Sequence, residues 1–419
     1  MARPRPARGR ARLGLAAAAL MFGHTARADS GQALHADVAV YVAQGDHMVG
    51  SQGAEETARW LAARLARLGF TVERQSFDLR QYRSKHLALT ADGVPVAAAL
   101  QWWPPDVPQG LSLSGPAGVG AGRFAILPVK VGDLSYLGGA VEAQIRDAIA
   151  GGASAVLLAT ETSLGADGPY LFNARAQAEP WPVPVLAVGA ADGARLAAAS
   201  GPIELRMKGR YVTVSAANIV ARIDRPDTDT AVVVSTPYTG WGPCGGERGP
   251  GIAMFLALAA WARNHVPHDI VLVATAGHEV GHSGMARFLG SEAAPAPAAT
   301  ALWLHLGASI ATYARAGSDE ANRATRYALF SGTLAPAAQR HLAGAFVPVD
   351  TSVAAFGEVA DVARAGYPHH LGFAGYGPHH HLPSDTAAAT APHLLADAWQ
   401  RLLATVSEML DAPDVDKGD

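Results

Sequence analysis

Residues 231–282 read AVVVSTPYTGWGPCGGERGPGIAMFLALAAWARNHVPHDIVLVATAGHEVGH, and the alternation within that run decides the fold. Ala231–Ser235 opens with four apolar residues, which predicts a strand buried on both faces. A glycine-rich loop from Gly242 to Gly251 follows, then a mostly apolar helix over Ile252–Trp261. Asp269–Thr275 repeats the strand pattern. Strand, loop, helix and strand in that order predict an α/β domain with a mixed, largely parallel central sheet flanked by helices. In such sheets ligands bind beyond the carboxyl ends of the strands.

Working outward, Ala301–Leu306 adds a third strand, and Leu395, Trp399, Leu402, Val406 and Met409 put an amphipathic helix over Pro392–Leu410. Upstream, Ala58, Leu61, Leu65 and Leu68 recur at helical spacing, Glu55 and Glu56 suit a first turn, and Gly69 stops the helix. Phe70–Phe77 then alternates like a strand. Between residues 85 and 211 the texture changes to short β-like runs rich in Gly and Pro, with a helix over Val141–Ala150 and no cluster of His and acids. That segment reads as a β-rich insert between two parts of the main domain, 29–84 and 212–411, with a polar tail over 412–419.

The first residues carry a different signal. Arg3, Arg5, Arg8, Arg10 and Arg12 precede an apolar run from Leu13 to Phe22, and Ala26-Arg27-Ala28 offers a small-x-small cleavage site. Residues 1–28 therefore read as a secretory signal peptide, with an apolar core too short for a membrane anchor. Its removal takes six of the 33 basic residues and none of the 36 acidic ones, so the charge moves from −3 to −9. An acidic exported chain, secreted or periplasmic, without a basic patch is a poor partner for nucleic acid. One cysteine, Cys244, excludes a disulfide framework and a Cys-rich zinc module.

Candidate chemistry sits at the strand ends. Glu247 lies in the glycine loop after the first strand, and His278-Glu279 follows the second. His305 lies inside the third, and His379-His380-His381 with Asp385 precedes the last helix. Imidazole and carboxylate converging on one point suit zinc, and an acid such as Asp385 can orient a ligand His. Taken singly, the triple His also fits a solvated loop, and His305 a satisfied core residue. His278-Glu279-Val-Gly-His282 matches the zincin string HExxH, but that motif needs a helix, and Gly281 and Gly284 break one here.

The order of these segments resembles the zinc aminopeptidases of the bacterial leucyl-aminopeptidase type, with relatives of the carboxypeptidase Q and glutaminyl cyclase kinds. His47-Met-Val-Gly-Ser51, Leu68-Gly-Phe-Thr-Val-Glu73, Ser215–Ile223 and His381-Leu-Pro-Ser-Asp-Thr386 carry the likeness, and 85–211 resembles an inserted protease-associated domain. The family's first ligand His falls at Pro237 and its Asp partner at Thr239, neither of which can replace it. The resemblance implies Glu247, Glu279 and His381 as ligands of one zinc, with His305 where the other metal's Asp would be. It also implies His278 in the place of the general base, and Glu358 where an Asp often anchors a substrate amino group. The implied activity is a metal-dependent hydrolysis of a peptide or small-molecule amide. A catalytically inactive binding protein and a glutaminyl cyclase-like acyltransferase stay open as alternatives.

Overall fold

The computed structural model describes residues 30–411 apart from 133–135, 137 and 165. The expected signal peptide and polar tail lie outside the described residues.

Two helices come first: α1 over 30–43 and α2 over Gln52–Arg67. Ser51 caps α2 by accepting a hydrogen bond from the Ala54 N–H at 3.1 Å. Strand β1 (Thr71–Ala91) then leaves the main body and returns as β8 (Ile203–Ile223). The two pair antiparallel along almost their whole length, from Thr71↔Arg222 to Ala91↔Ile203. Positions 85 and 211 fall inside these two strands. Between them come β2 (Val94–Val96), β3 (Ala98–Leu100), β4 (Val107–Gly115), β5 (Phe124–Lys130), α3 (Gly139–Ala150), β6 (Ala155–Glu161), β7 (Val185–Gly189) and α4 (Ala190–Ala197). β4 pairs with β8, whereas β3, β7, β6 and β5 form a separate four-stranded sheet. That small sheet is apolar on both faces, with Leu157 and Leu186 on one and Val156 and Val185 on the other.

The rest of the chain supplies β9 (Ala231–Pro237), α5 (Gly249–His265), β10 (Asp269–Thr275), α6 (Ser283–Leu289), β11 (Thr300–Leu306), β12 (Arg326–Phe330), α7 (Ala335–Leu342), β13 (Val347–Asp350), α8 (Glu358–Arg364), β14 (His370–Gly375) and α9 (Pro392–Asp411). The large sheet runs in the order β13-β12-β14-β11-β9-β10-β8-β1-β2. Its centre is parallel: β10 with β9, β9 with β11, β11 with β14. Successive side chains of these strands face opposite ways. Val232, Val234, Ile270, Leu272, Leu302 and Leu304 therefore pack under α1, α2, α5 and α9. Val233, Val271, Val273 and Trp303 pack on the other face with α6 and α8. Helix α5 can close on β11 because Gly251 stands at the crossing, where a Cβ would lie 3.0 Å from the Leu306 carbonyl. Among the described residues no helix is long and apolar enough to cross a membrane.

Candidate functional site

Four parallel strands, β10, β9, β11 and β14, release their loops at one edge of the sheet, and that edge is where the singled-out residues meet. After β9 the chain runs through Cys244, in the left-handed region at φ 48°, to Glu247 just before α5. Asp385, in the loop after β14, accepts the N–H groups of Gly246 at 2.7 Å and Glu247 at 2.9 Å. Gly245 is obligatory at this seam, because a Cβ there would meet the Thr386 carbonyl carbon at 2.2 Å. The two loops thus hold the Glu247 backbone fast.

Glu247 Oε1 lies 3.3 Å from His381 Nε2, and Oε2 lies 4.0 Å from His380 Nδ1. The ligand atoms of Glu247, His380 and His381 all fall within 4.8 Å of one another, and all three residues are buried. The two imidazoles stack at 4.1 Å, an arrangement that the left-handed turn at His381 (φ 57°) permits. Burial pushes the Glu247 carboxyl up, but the charges of Arg248, His380 and His381 outweigh it and hold the group well below the usual range. Burial, with His381 beside it, lowers His380 to about 3. An ionised carboxylate beside a neutral imidazole is the protonation that zinc requires of its ligands. His381 Nδ1 has no hydrogen-bond partner. The donor set, a carboxylate and two imidazoles, is of the kind that zinc takes.

Arg248 complicates the picture. It is 1% exposed, with Nη2 2.8 Å from Glu247 Oε1 and Nε donating to the Thr239 carbonyl. The contact with Glu247 is a charge pair outside hydrogen-bond alignment, since neither Nη1 nor Nη2 has a hydrogen-bond partner.

Glu279 stands apart from the cluster. Its Oε1 accepts the Val49 N–H at 2.6 Å and its Oε2 the Thr239 hydroxyl at 2.8 Å. Burial raises it to about 7. Thr239 serves as a clamp on Glu279 and on the Gly277 N–H.

Above the cluster opens a cavity of about 600 Å³ with His380 and His381 in its lining. His278, His282 and His305 line it too. His278 Nδ1 sits 3.0 Å from Glu358 Oε1, and Glu358 Oε2 accepts the Thr275 hydroxyl at 2.9 Å. Both oxygens of Glu358 are thereby engaged within the protein. One helical turn on, Asp361 pairs with His282 Nδ1 at 2.6 Å, and His282 Nε2 meets the Tyr136 hydroxyl. The HExxH string forms a turn, with His282 at φ 51° capping α6, and its two imidazoles stack at 4.7 Å. Burial first, then Arg248 and His282, drives His278 well below its ordinary value. His305 points to the Trp303 face, with Nδ1 2.9 Å from Ser235 Oγ, and burial lowers it to about 4. Asn173, also in the lining, accepts the Trp241 indole N–H at Oδ1, and its Nδ2 has no partner.

Of the residues singled out from the sequence, the structure brings Glu247, His381 and Asp385 together and sets His278, His305 and Glu358 along the cavity wall. His380, part of the His triplet but outside the ligand set that the resemblance implies, joins them with Nδ1 4.0 Å from Glu247 Oε2. Asp361 and His282 were missed as a pair; the signal was carboxylates three apart on one helix facing histidines four apart in a loop.

A mixed-sheet α/β fold with a His/Glu cluster at the parallel strand ends is the class this architecture defines. The chain is similar to a zinc aminopeptidase from Bacillus subtilis, at 17% identity and TM-score 0.70, over 93% of this chain and 96% of that one. It is also similar to a peptidase M28 precursor from Shewanella amazonensis SB2B, at 16% identity and TM-score 0.67, over 93% of each chain. An aminopeptidase from Aneurinibacillus sp. strain AM-1 superposes at TM-score 0.62 and 15% identity, over 92% and 96%. No protein-family model matches the sequence, and neither does any curated protein. At these identities the likeness is one of fold.

Proposed function

We propose that this protein is an exported, metal-dependent hydrolase that cleaves an amide bond of a peptide or small molecule with one zinc ion. The buried cluster of Glu247, His380 and His381 beneath an open cavity carries the reading. Glu279, expected as a ligand, becomes in this proposal the residue that ties Val49 and Thr239 to the loop after β10. A zinc held by Glu247, His380 and His381 would supply Lewis-acid polarisation of the amide carbonyl.

The chain's own groups do the rest. Glu358 accepts the His278 Nδ1 proton, so the Nε2 lone pair is left to take a proton from water in the cavity. His278 is neutral at pH 7 because burial depresses it, and Glu358 steadies the imidazolium once formed. Glu358 therefore positions the base rather than touching substrate. The unpaired Asn173 amide suits the carbonyl oxygen of a bound amide. Segment 85–211, proposed as a protease-associated-like insert, contributes Tyr136, Asn173 and Arg175 to the cavity wall and no ligand to the metal cluster.

Elemental analysis of protein purified without chelator is expected to find about one zinc per chain, with a melting temperature that rises on adding zinc. Glu247→Gln is expected to lose both. A second reading, a metal-free binding protein, draws on Arg248, whose buried charge already offsets Glu247. Zinc-free protein whose melting ignores added zinc would establish that reading instead. Export predicts a mature N-terminus at or near Asp29, and secreted protein still beginning at Met1 would refute it.

A further inference from the structure

The cavity above the metal cluster has two carboxylates in its lining, Glu358 and Asp361, and two arginines, Arg175 and Arg364. Each of the four carboxylate oxygens already has a partner. Glu358 Oε1 faces His278 Nδ1, and its Oε2 accepts from the Thr275 hydroxyl. Asp361 Oδ2 faces His282 Nδ1, and its Oδ1 pairs with Arg364 Nη2 at 2.6 Å. Glu358 is in addition fully buried. A substrate ammonium entering this cavity meets no lining carboxylate that is free to receive it.

Arg175 is the opposite case. Among the described residues its side chain has neither a carboxylate partner nor a hydrogen bond, whereas Arg364 is committed to Asp361. Glu142 and Glu179, which border a neighbouring cavity together with Arg175, pair with Arg146 and Arg80 instead. The Arg175 guanidinium carbon lies 5.3 Å from the centre of the Tyr136 ring, and Tyr136 is itself part of the lining. The backbone holds the residue there. The Ala174 N–H donates to the Glu279 carbonyl at 2.9 Å, and the Gly281 N–H to the Ala174 carbonyl at 2.8 Å. Gly281 permits the approach, since a Cβ there would lie 2.3 Å from the Arg175 carbonyl oxygen. Arg175 is thus anchored beside the loop that carries His278 and His282, and it is exposed, so its charge is open to a ligand. A guanidinium stays charged at any working pH and offers paired N–H donors that match a carboxylate.

We propose that the substrate of this cavity is an anionic amide: it carries a free carboxylate, received by Arg175, and no free α-amino group, as in an N-acylated amino acid. The proposal rests on the proposed hydrolysis for its reaction, but the carboxylate site itself needs no metal. For N-benzoylglycine, the simplest probe of this class, water adds across the amide C–N bond to leave benzoate and glycine.

Calorimetry on the full chain, freed of metal by dialysis, compares N-benzoylglycine with N-benzoylglycinamide, which differs only in lacking the carboxylate. The acid is expected to bind about five- to tenfold tighter than the amide, an advantage that shrinks at high salt. Arg175→Gln, a change at an exposed residue, is expected to melt like the parent and to bind the two ligands alike. Absence of saturable N-benzoylglycine binding overturns the proposal, and so does a preference for the acid that survives Arg175→Gln. Zinc content and turnover of N-benzoylglycine and leucinamide, measured on the same preparations, separate this proposal from the hydrolase reading. An Arg175-dependent preference in protein that holds no zinc and turns over neither compound keeps the carboxylate site and ends the hydrolase reading. Turnover of leucinamide in preference to N-benzoylglycine, unchanged by Arg175→Gln, keeps the hydrolase and ends the anionic substrate.

Discussion

Arg248 places a full positive charge 2.8 Å from Glu247 Oε1, inside the cluster proposed to hold zinc. Its guanidinium and the Glu247 carboxylate neutralise each other while both are buried, so removing either alone strands a buried charge. Arg248→Met is expected to destabilise the metal-free protein by about 3–5 kcal/mol. Added zinc is expected to recover part of that loss by supplying the missing cation. Denaturant melts with and without zinc test this; a variant as stable as the parent would mean that Glu247 is not ionised. The base assignment makes a separate demand. His278→Ala is expected to lower kcat toward a chromogenic amide by about 10²–10⁴ while zinc content holds. Glu358→Gln is expected to lower kcat with little change in KM and to alter the pH profile, as a residue acting through His278 must. A raised KM with unchanged kcat would restore Glu358 to direct contact with substrate.

Loops acquire their precision from contact with each other. The Glu247 loop has no regular structure, yet Asp385 takes two of its N–H groups and Gly245 lets the 384–386 backbone lie against it. Gly245→Ala forces these two backbones apart, at about 1–3 kcal/mol. It is also expected to weaken zinc binding while far-UV circular dichroism, dominated by α5 and α9, stays unchanged. Zinc affinity equal to the parent's would show that the seam does not position Glu247. Helix α8 makes a similar contribution on the other wall, since one turn of helix sets Glu358 under His278 and Asp361 beside His282.

Buried ionisable groups give the folded protein its own pH dependence. Burial lowers His47 and His305 to about 4 and His380 to about 3, and depresses His278 as well. These four favour folding above the unfolded histidine value and lose that contribution as pH falls. Burial raises Glu279 and Asp385 to about 7, so these two favour folding at low pH and lose that contribution as pH rises toward 7. Four histidines outweigh two carboxyls between pH 4.5 and 6.5, and unfolding there takes up about one to two protons net. The metal-free protein is therefore expected to melt highest near pH 7 and progressively lower toward pH 5. A melting temperature that climbs as pH falls to 5 would mean that the histidines are not held neutral.

The sequence alone determined the architecture of the main sheet, because apolar runs such as Val232–Val234 and Ile270–Ala274 can be satisfied only by burial on both faces. It also pointed to the strand ends as the seat of chemistry, since acids and imidazoles collect there and have no role in packing. It did not decide how far β1 and β8 extend, because a strand's length depends on its partner as much as on its own residues. Only the tertiary structure decided which of the candidate side chains lie together. Val49 and Thr239 engage the two oxygens of Glu279, and His380 stacks on His381 beside Glu247. Hydrogen-bond partners 40 to 230 residues away in the chain make those choices, and a local pattern has no means of recording them.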